Sequence, residues 1–209
     1  MAASPVSPGS ADVLLFDLGR VVLDTDFERV MARWAADAGC QPADLASRFV
    51  VNDNFKHHET GKIDDAAFFA DLRASLGIGL TDAQFLEGWN AIFAGEMPGI
   101  APLLAGAAKR MPLYAFSNTN PGHVAHFSKA YADVLSHFRE IFLSSAIGLR
   151  KPDAEAYDHV VKAIGVPASR ILFFDDSAAI IEGARARGLG AIHVTSTDDV
   201  ARALTALGI

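Results

Sequence analysis

Three apolar runs in this chain each stop on a polar residue: Val13-Leu14-Leu15-Phe16 at Asp17, Leu113-Tyr114-Ala115-Phe116 at Ser117-Asn118, and Ile171-Leu172-Phe173-Phe174 at Asp175-Asp176. Short continuous apolar runs read as strands buried on both faces, the condition of a parallel sheet covered by helices. In such a sheet the ligand crevice lies outside the carboxyl ends of the strands. The three polar ends are therefore expected to converge although they are far apart in sequence. Three carboxylates in one dry crevice repel one another, and a divalent cation with hard oxygen ligands resolves that cost. On this ground Asp17, Asp175 and Asp176 are candidate magnesium ligands.

With 209 residues the chain has room for one sizeable α/β core, or for a core and a small insert. Its composition, 51% hydrophobic and 21% charged, is globular. Its apolar runs fall well short of the ~20 residues of a membrane span. A formal charge of -7 with no clustered Lys or Arg run gives no basic footprint for nucleic acid. The expected partner is a small molecule, not a nucleic acid or a membrane, and the expected state is a monomer or homodimer. Cys40, the single cysteine, leaves no internal disulfide and no cysteine-based metal site, which points to a reducing cytoplasm. Residues 1–10 are rich in Ala, Ser, Pro and Gly and lack the basic start and apolar stretch of a secretory leader. They are expected to form a disordered tail.

Strands and helices alternate from Met97-Pro98 onward. The pattern predicts helix 99–110, strand 112–116, a helix from about 121, strand 140–143, helix 153–164, strand 170–174, helix 177–187, strand 190–194 and helix 197–207, with Gly165 and Gly188 at helix ends. Between the first strand, 12–17, and residue 112 nothing strand-like is expected. Instead Phe27, Val30, Met31 and Trp34, then Phe68, Phe69 and Leu72, then Phe85, Trp89 and Phe93 recur at helical spacing. The fold class is thus α/β, a doubly wound, Rossmann-like parallel sheet with a small α-helical insert after the first strand. The core is expected over 11–25 and 98–209, and the helical cap over 26–97.

Four stretches carry candidate chemistry. In Phe16-Asp17-Leu18-Gly19 a carboxylate at a strand end is followed by glycine, which leaves the backbone open to close approach; a turn-capping Asp is the plainer reading. Ser117-Asn118-Thr119-Asn120, before Pro121, suits an anion near a helix N-terminus, or simply an N-cap. Lys151-Pro152 offers a point charge for a carboxylate and phosphoryl pair. Asp175-Asp176 after a buried strand is poorly explained by packing and well explained by metal ligation.

In this order and context, Asp17, Ser117, Lys151-Pro152 and Asp175-Asp176 resemble the four motifs of the haloacid dehalogenase superfamily. Phe16-Asp17-Leu18-Gly19, Asp24-Thr25-Asp26-Phe27, Lys56-His57-His58-Glu59-Thr60-Gly61 and Ser117-Asn118-Thr119-Asn120 are further similar to its α-D-glucose-1-phosphate phosphatase type. The resemblance implies a phosphatase for a small phosphorylated metabolite such as a hexose 1-phosphate. It implies Asp17 as nucleophile, and Mg²⁺ held by Asp17, the Gly19 carbonyl and Asp175, with Asp176 binding directly or through water. It also implies Ser117 and the Asn118 backbone on the phosphoryl oxygens, and Lys151 between nucleophile and phosphate. Arg20 and His57 are further candidates for substrate contact.

The pattern departs from the superfamily at Gly19, where its phosphatases commonly carry a second Asp as general acid. That favours leaving groups that depart easily, or a substitute acid, for which Asp24, His57 and His58 are the candidates. A dehalogenase with a similar carboxylate nucleophile and a catalytically silent binding module are the alternatives. The acid pair argues against the first, and persistence of all four motifs against the second.

Overall fold

The computed structural model describes residues 6–209. Strand β1 (Val13–Phe16) leads through a tight loop to a three-residue strand, β2 (Leu23–Thr25). Helices α1 (Phe27–Ala38), α2 (Pro42–Ala46), α3 (Asp53–Glu59), α4 (Asp65–Leu76) and α5 (Asp82–Asn90) follow, and the chain returns in β3 (Phe93–Glu96), antiparallel to β2. The remainder alternates: α6 (Ile100–Ala108), β4 (Leu113–Ser117), α7 (Pro121–Ala130), α8 (Ala132–Leu135), β5 (Glu140–Leu143), α9 (Ser144–Ile147), α10 (Ala154–Ile164), β6 (Ile171–Asp175), α11 (Ala178–Ala186), β7 (Gly190–His193) and α12 (Thr197–Leu207).

The main sheet has the order β5-β4-β1-β6-β7, and all its pairings are parallel. The chain winds outward from β1 to β4 and β5 on one side, then to β6 and β7 on the other. The strand order therefore reverses at β1, where the doubly wound fold opens its crevice. Register places Phe16 beside Ala115 and Phe174, so Asp17 and Asp175 follow side by side at the rim, with Ser117 one residue further along β4. The Asp17 amide donates to the Phe174 carbonyl at 2.8 Å and extends the ladder to that rim.

Alternation along the buried strands divides the core. Leu14, Phe16, Leu113, Ala115 and Phe174 pack with Ile100 and Leu104 of α6 and Val200 and Leu204 of α12 on one face. Val13, Leu15, Phe116 and Phe173 pack with Tyr157 and Val160 of α10 and Ile181 of α11 on the other. Each such Val, Leu, Ile or Phe side chain contributes ~1.5–3 kcal/mol by leaving water. The helical insert has its own core of Val30, Trp34, Phe68, Phe69, Phe85 and Trp89, among others. Caps delimit its helices: Asp26 accepts from the Glu28 amide to start α1, Asp64 from the Ala67 amide to start α4, and Thr81 and Gln84 form a capping box on α5. Gly39 and Gly77, both left-handed, close α1 and α4.

Two expectations change. The insert is not helical from end to end, because β2 and β3 pair at its neck. Phe93 shares helical spacing with Phe85 and Trp89, but Gly95 and the backbone pairing to β2 take this stretch into a strand. Of the ten N-terminal residues read as a tail, 1–5 lie outside the described residues. Residues 6–10 form a turn closed by Ser10 N to Ser7 O at 3.0 Å, and Arg170 Nη1 donates to Gly9 O at 2.6 Å.

The insert docks on the core where Gly61, left-handed at φ +66°, lies so close that a Cβ would stand 2.3 Å from the Ser145 carbonyl oxygen. Neither backbone can yield cheaply. Gly61→Ala is expected to cost roughly 1–3 kcal/mol, the range of overpacking in a tight contact, read as a lowered midpoint in urea unfolding. An unchanged midpoint would show that the two backbones separate freely.

Candidate active site

The rim above β4, β1 and β6 gathers Ser117, Asp17 and Asp175 because those three strands are neighbours. Lys151, on the loop before α10, is 1% exposed, and its Nζ donates to Asp17 Oδ1 and Asp175 Oδ2 at 2.7 Å each. The ammonium also stands 5.3 Å from the ring centroids of Phe116 and Phe173. Burial works against its charge, but the two carboxylates outweigh that and push its pKa up. Asn118 fixes the loop from below. Its Nδ2 donates to the Lys151 carbonyl and its Oδ1 accepts from the Lys151 amide, both at 2.8 Å. Asp175, fully buried, also accepts from the Ser177 amide at 2.9 Å.

One ammonium does not neutralise this cluster. Carboxylate oxygens of Asp17, Asp175 and Asp176 lie within 4.8 Å of one another. Burial pushes the Asp17 carboxyl up to about 7, with Lys151 opposing and Asp175 and Asp176 adding to the rise. Asp176 is raised as well, first by burial and then by Asp175. Three hard carboxylate oxygens this close together are a donor set suited to Mg²⁺.

Asp17 and Lys151 stand at the floor of a cavity of about 210 Å³ between core and insert, with Asp175 buried behind them and Asp176 facing an outer groove. The cavity's polar edge is Ser117, Asn118, Thr119 and Asn120; its wall is apolar and aromatic, from Phe27, Phe55, Trp89, Ile92 and Phe93. Ser117 makes only a marginal contact of 3.5 Å to the Asn118 carbonyl, which leaves its hydroxyl available to a ligand. Capping of α7 falls to Asn120, whose Oδ1 accepts from the His123 amide at 3.0 Å. That disposes of the plain N-cap reading for Ser117 and Asn118. His123 closes the back of the cavity. Its Nε2 donates to the Trp89 carbonyl at 3.1 Å, its Nδ1 accepts from Asn120 at 3.0 Å, and burial pulls its pKa down to about 3, so it stays neutral.

Of the residues singled out in the sequence, Asp17, Gly19, Ser117, Asn118 and Lys151 line this cavity. Arg20 does not: it turns outward in a left-handed conformation, φ +57°, and its Nε meets Asp176 Oδ2 at 3.1 Å. Asp24 lies with Arg20 and Asp176 on a separate outer groove. His58 is buried inside the insert, 2.7 Å from Asp65 and stacked on Phe68, and burial lowers its pKa. His57 is also absent from the lining, because successive helix residues diverge by about 100° and the face of α3 toward the cavity belongs to Phe55 and Glu59. Glu59, Thr25 and His123 line the cavity without having been singled out. Glu59 was in view only as part of the 56–61 stretch, and the docking that brings it to the core has no local sequence signal. Thr25 Oγ1 lies 3.5 Å from where a Cβ on Gly19 would be, so the hydroxyl flanks the missing acid's position.

Residues 11–188 match the family described as haloacid dehalogenase-like hydrolase. The chain belongs to that family. Among curated relatives, a phosphatase of Mycobacterium tuberculosis is 36% identical over 121 residues, 56% of this chain and 56% of that protein. The match spans little more than half of either. A D-ribitol-5-phosphate phosphatase of Bacteroides thetaiotaomicron is 24% identical over 200 residues, 93% of this chain and 97% of that one. Among solved structures, a HAD-family enzyme of Bacteroides thetaiotaomicron in complex with magnesium and inorganic phosphate has a TM-score of 0.79 at 25% identity, covering 89% of this chain and 95% of that one. The family accounts for the parallel sheet and for the hydrolase class. The finer α-D-glucose-1-phosphate type is not carried by these names.

Two predictions follow from the cluster's charge. Lys151→Met leaves two close carboxylates uncompensated and is expected to cost ~3–5 kcal/mol at neutral pH, measured by chemical denaturation in EDTA. Asp17, raised in the folded chain from 3.8 to about 7, contributes stability that is complete below pH 3.8 and is lost as pH rises through 7. Mg²⁺ replaces the proton, so its gain in melting temperature is expected to be larger at pH 8 than at pH 5. An equal gain at both would contradict ligation by Asp17.

Proposed function

We propose that the protein is a magnesium-dependent phosphatase for a small, hydroxylated phosphate monoester, acting through an aspartyl-phosphate on Asp17. The supporting observation is the Asp17 carboxylate held at 2.7 Å by a buried lysine, part of a three-carboxylate cluster and itself facing the cavity between core and insert. Lys151 fixes the carboxylate's rotation and offsets its charge as a phosphoryl group approaches. Asp17 forms the new O–P bond while the bond from phosphorus to the leaving oxygen breaks, and that oxygen departs with the bonding electron pair and takes its proton from solvent water. Ser117 Oγ and the Asn118 backbone amide receive the transferring oxygens. A water then attacks phosphorus, which frees Asp17 and releases phosphate. Asp17, the Gly19 carbonyl, Asp175 and Asp176 would hold Mg²⁺, whose charge stabilises the transferring oxygens when it is bound.

The leaving oxygen has no carboxylic acid at position 19. The expected substitutes, Asp24, His57 and His58, all stand off the cavity, so none is retained. Esters whose leaving group departs readily, such as anomeric sugar phosphates or acyl phosphates, fit that lack. The resemblance points to a hexose 1-phosphate, and the relative that spans nearly the whole chain is a pentitol 5-phosphate phosphatase. Both leaving groups carry several hydroxyls, and that shared chemistry is the proposed substrate class. The expected setting is the cytoplasm.

A phosphate-release screen over sugar 1-phosphates, sugar 5- and 6-phosphates, polyol phosphates and nucleotides tests the reading. Release is expected with Mg²⁺, to stop on chelation, and to fall by at least roughly 10³-fold in Asp17→Asn, as for loss of a nucleophile. Full turnover by Asp17→Asn would remove the covalent mechanism.

A further inference from the structure

Glu59 is the one carboxylate that the insert contributes to the cavity wall. Its side chain is 13% exposed, and both Arg150 donors converge on one oxygen: Nε at 2.9 Å and Nη2 at 2.8 Å, each to Oε2. Its Oε1 makes no hydrogen bond among the described residues. The backbone holds the residue in place, since Ser144 Oγ donates to the Glu59 carbonyl at 2.6 Å while accepting from the Thr119 amide at 2.8 Å. Thr119 belongs to the loop of Ser117 and Asn118, so Glu59 is tied to the polar edge of the cavity through a single hydroxyl. Burial raises its pKa, with Arg150 opposing.

We propose that Glu59 Oε1 accepts a hydrogen bond from a hydroxyl of the leaving group and thereby selects hydroxylated phosphate esters over apolar ones. The inference rests on the phosphatase reading and deepens it. An aromatic wall by itself would favour an alkyl or terpenoid ester. An alkyl leaving group, however, would cover the free carboxylate oxygen without satisfying it, and a buried polar group left unpaired costs more than its hydrogen bond contributes. Sites built to bind a hydroxyl therefore reject the analogue lacking it far more strongly than apolar pockets reject an added hydroxyl. The aromatic faces then pack against the C–H face of the same ligand.

The test compares ribitol 5-phosphate with n-pentyl phosphate, a pair matched in chain length, in the full-length protein with Mg²⁺. Wild type is expected to favour the polyol ester in kcat/KM by roughly 10²-fold or more. Glu59→Leu is expected to reduce that ratio at least tenfold, mainly through the polyol ester. Glu59→Gln, which keeps the side chain's shape and can still accept from Arg150, turns an amide donor toward the cavity and is expected to fall between the two. A merely structural role would slow both esters alike, so an unchanged ratio in either folded variant overturns the inference while leaving the phosphatase reading intact. No phosphate release by wild type from any monoester in the wider screen would remove both.

Discussion

The site depends on a buried lysine ammonium shared between two carboxylates that the fold brings together from opposite ends of the chain. Lys151 reaches Asp17 and Asp175 at equal distance, and without it the ends of β1 and β6 would repel. Lys151 thus offsets charge at the rim where β1 and β6 pair, but burial, with Asp175 and Asp176 adding to it, still raises Asp17 to about 7. Structural stability and metal affinity share a cause here. The fold tolerates an under-neutralised pocket because burial of Phe16, Phe116, Phe173 and Phe174 beneath it secures the strands independently.

Much of the core was legible because a strand buried on both faces leaves a local signature. Val13–Phe16, Leu113–Ser117 and Ile171–Asp175 are apolar runs that end on or next to a candidate site residue, so strand position and candidate-site position are the same piece of information. Helix ends at Gly165 and near Gly188 were equally local. The β2–β3 pair was not, because a three-residue strand and a Phe-Ala-Gly-Glu stretch have no period long enough to distinguish from a helix. His57 and Glu59 mark the same limit within one turn. Sequence placed the 56–61 stretch near substrate, but which side chain faces the cavity is decided by how α3 docks on Ser144 and Ser145.

The acid that phosphatases of this superfamily usually place two residues after the nucleophile has no direct replacement. The backbone at Gly19 is not left-handed, and a Cβ there would meet Thr25 at ordinary contact distance. Glycine is therefore not demanded by the loop. The titratable groups of the wall are each committed: His123 to a carbonyl, Glu59 to Arg150, Lys151 to two carboxylates. Under the proposed phosphatase reading, such a site trades reach across leaving groups for dependence on their chemistry, and the aromatic wall becomes the main agent of choice among esters.

The neck of the insert has a consequence for how this protein can diverge. Chain leaves and re-enters the core on two adjacent antiparallel strands, with Asp24 opposite Gly95, so the separation of the two crossing points is fixed by one ladder spacing whatever lies between them. Segments of different length or packing can be accommodated above that ribbon without altering the strand that ends at Asp17. Insert and core are thus two packing units, joined by the two strands of the ribbon and by the close docking of Gly61 and Glu59 on Ser144 and Ser145.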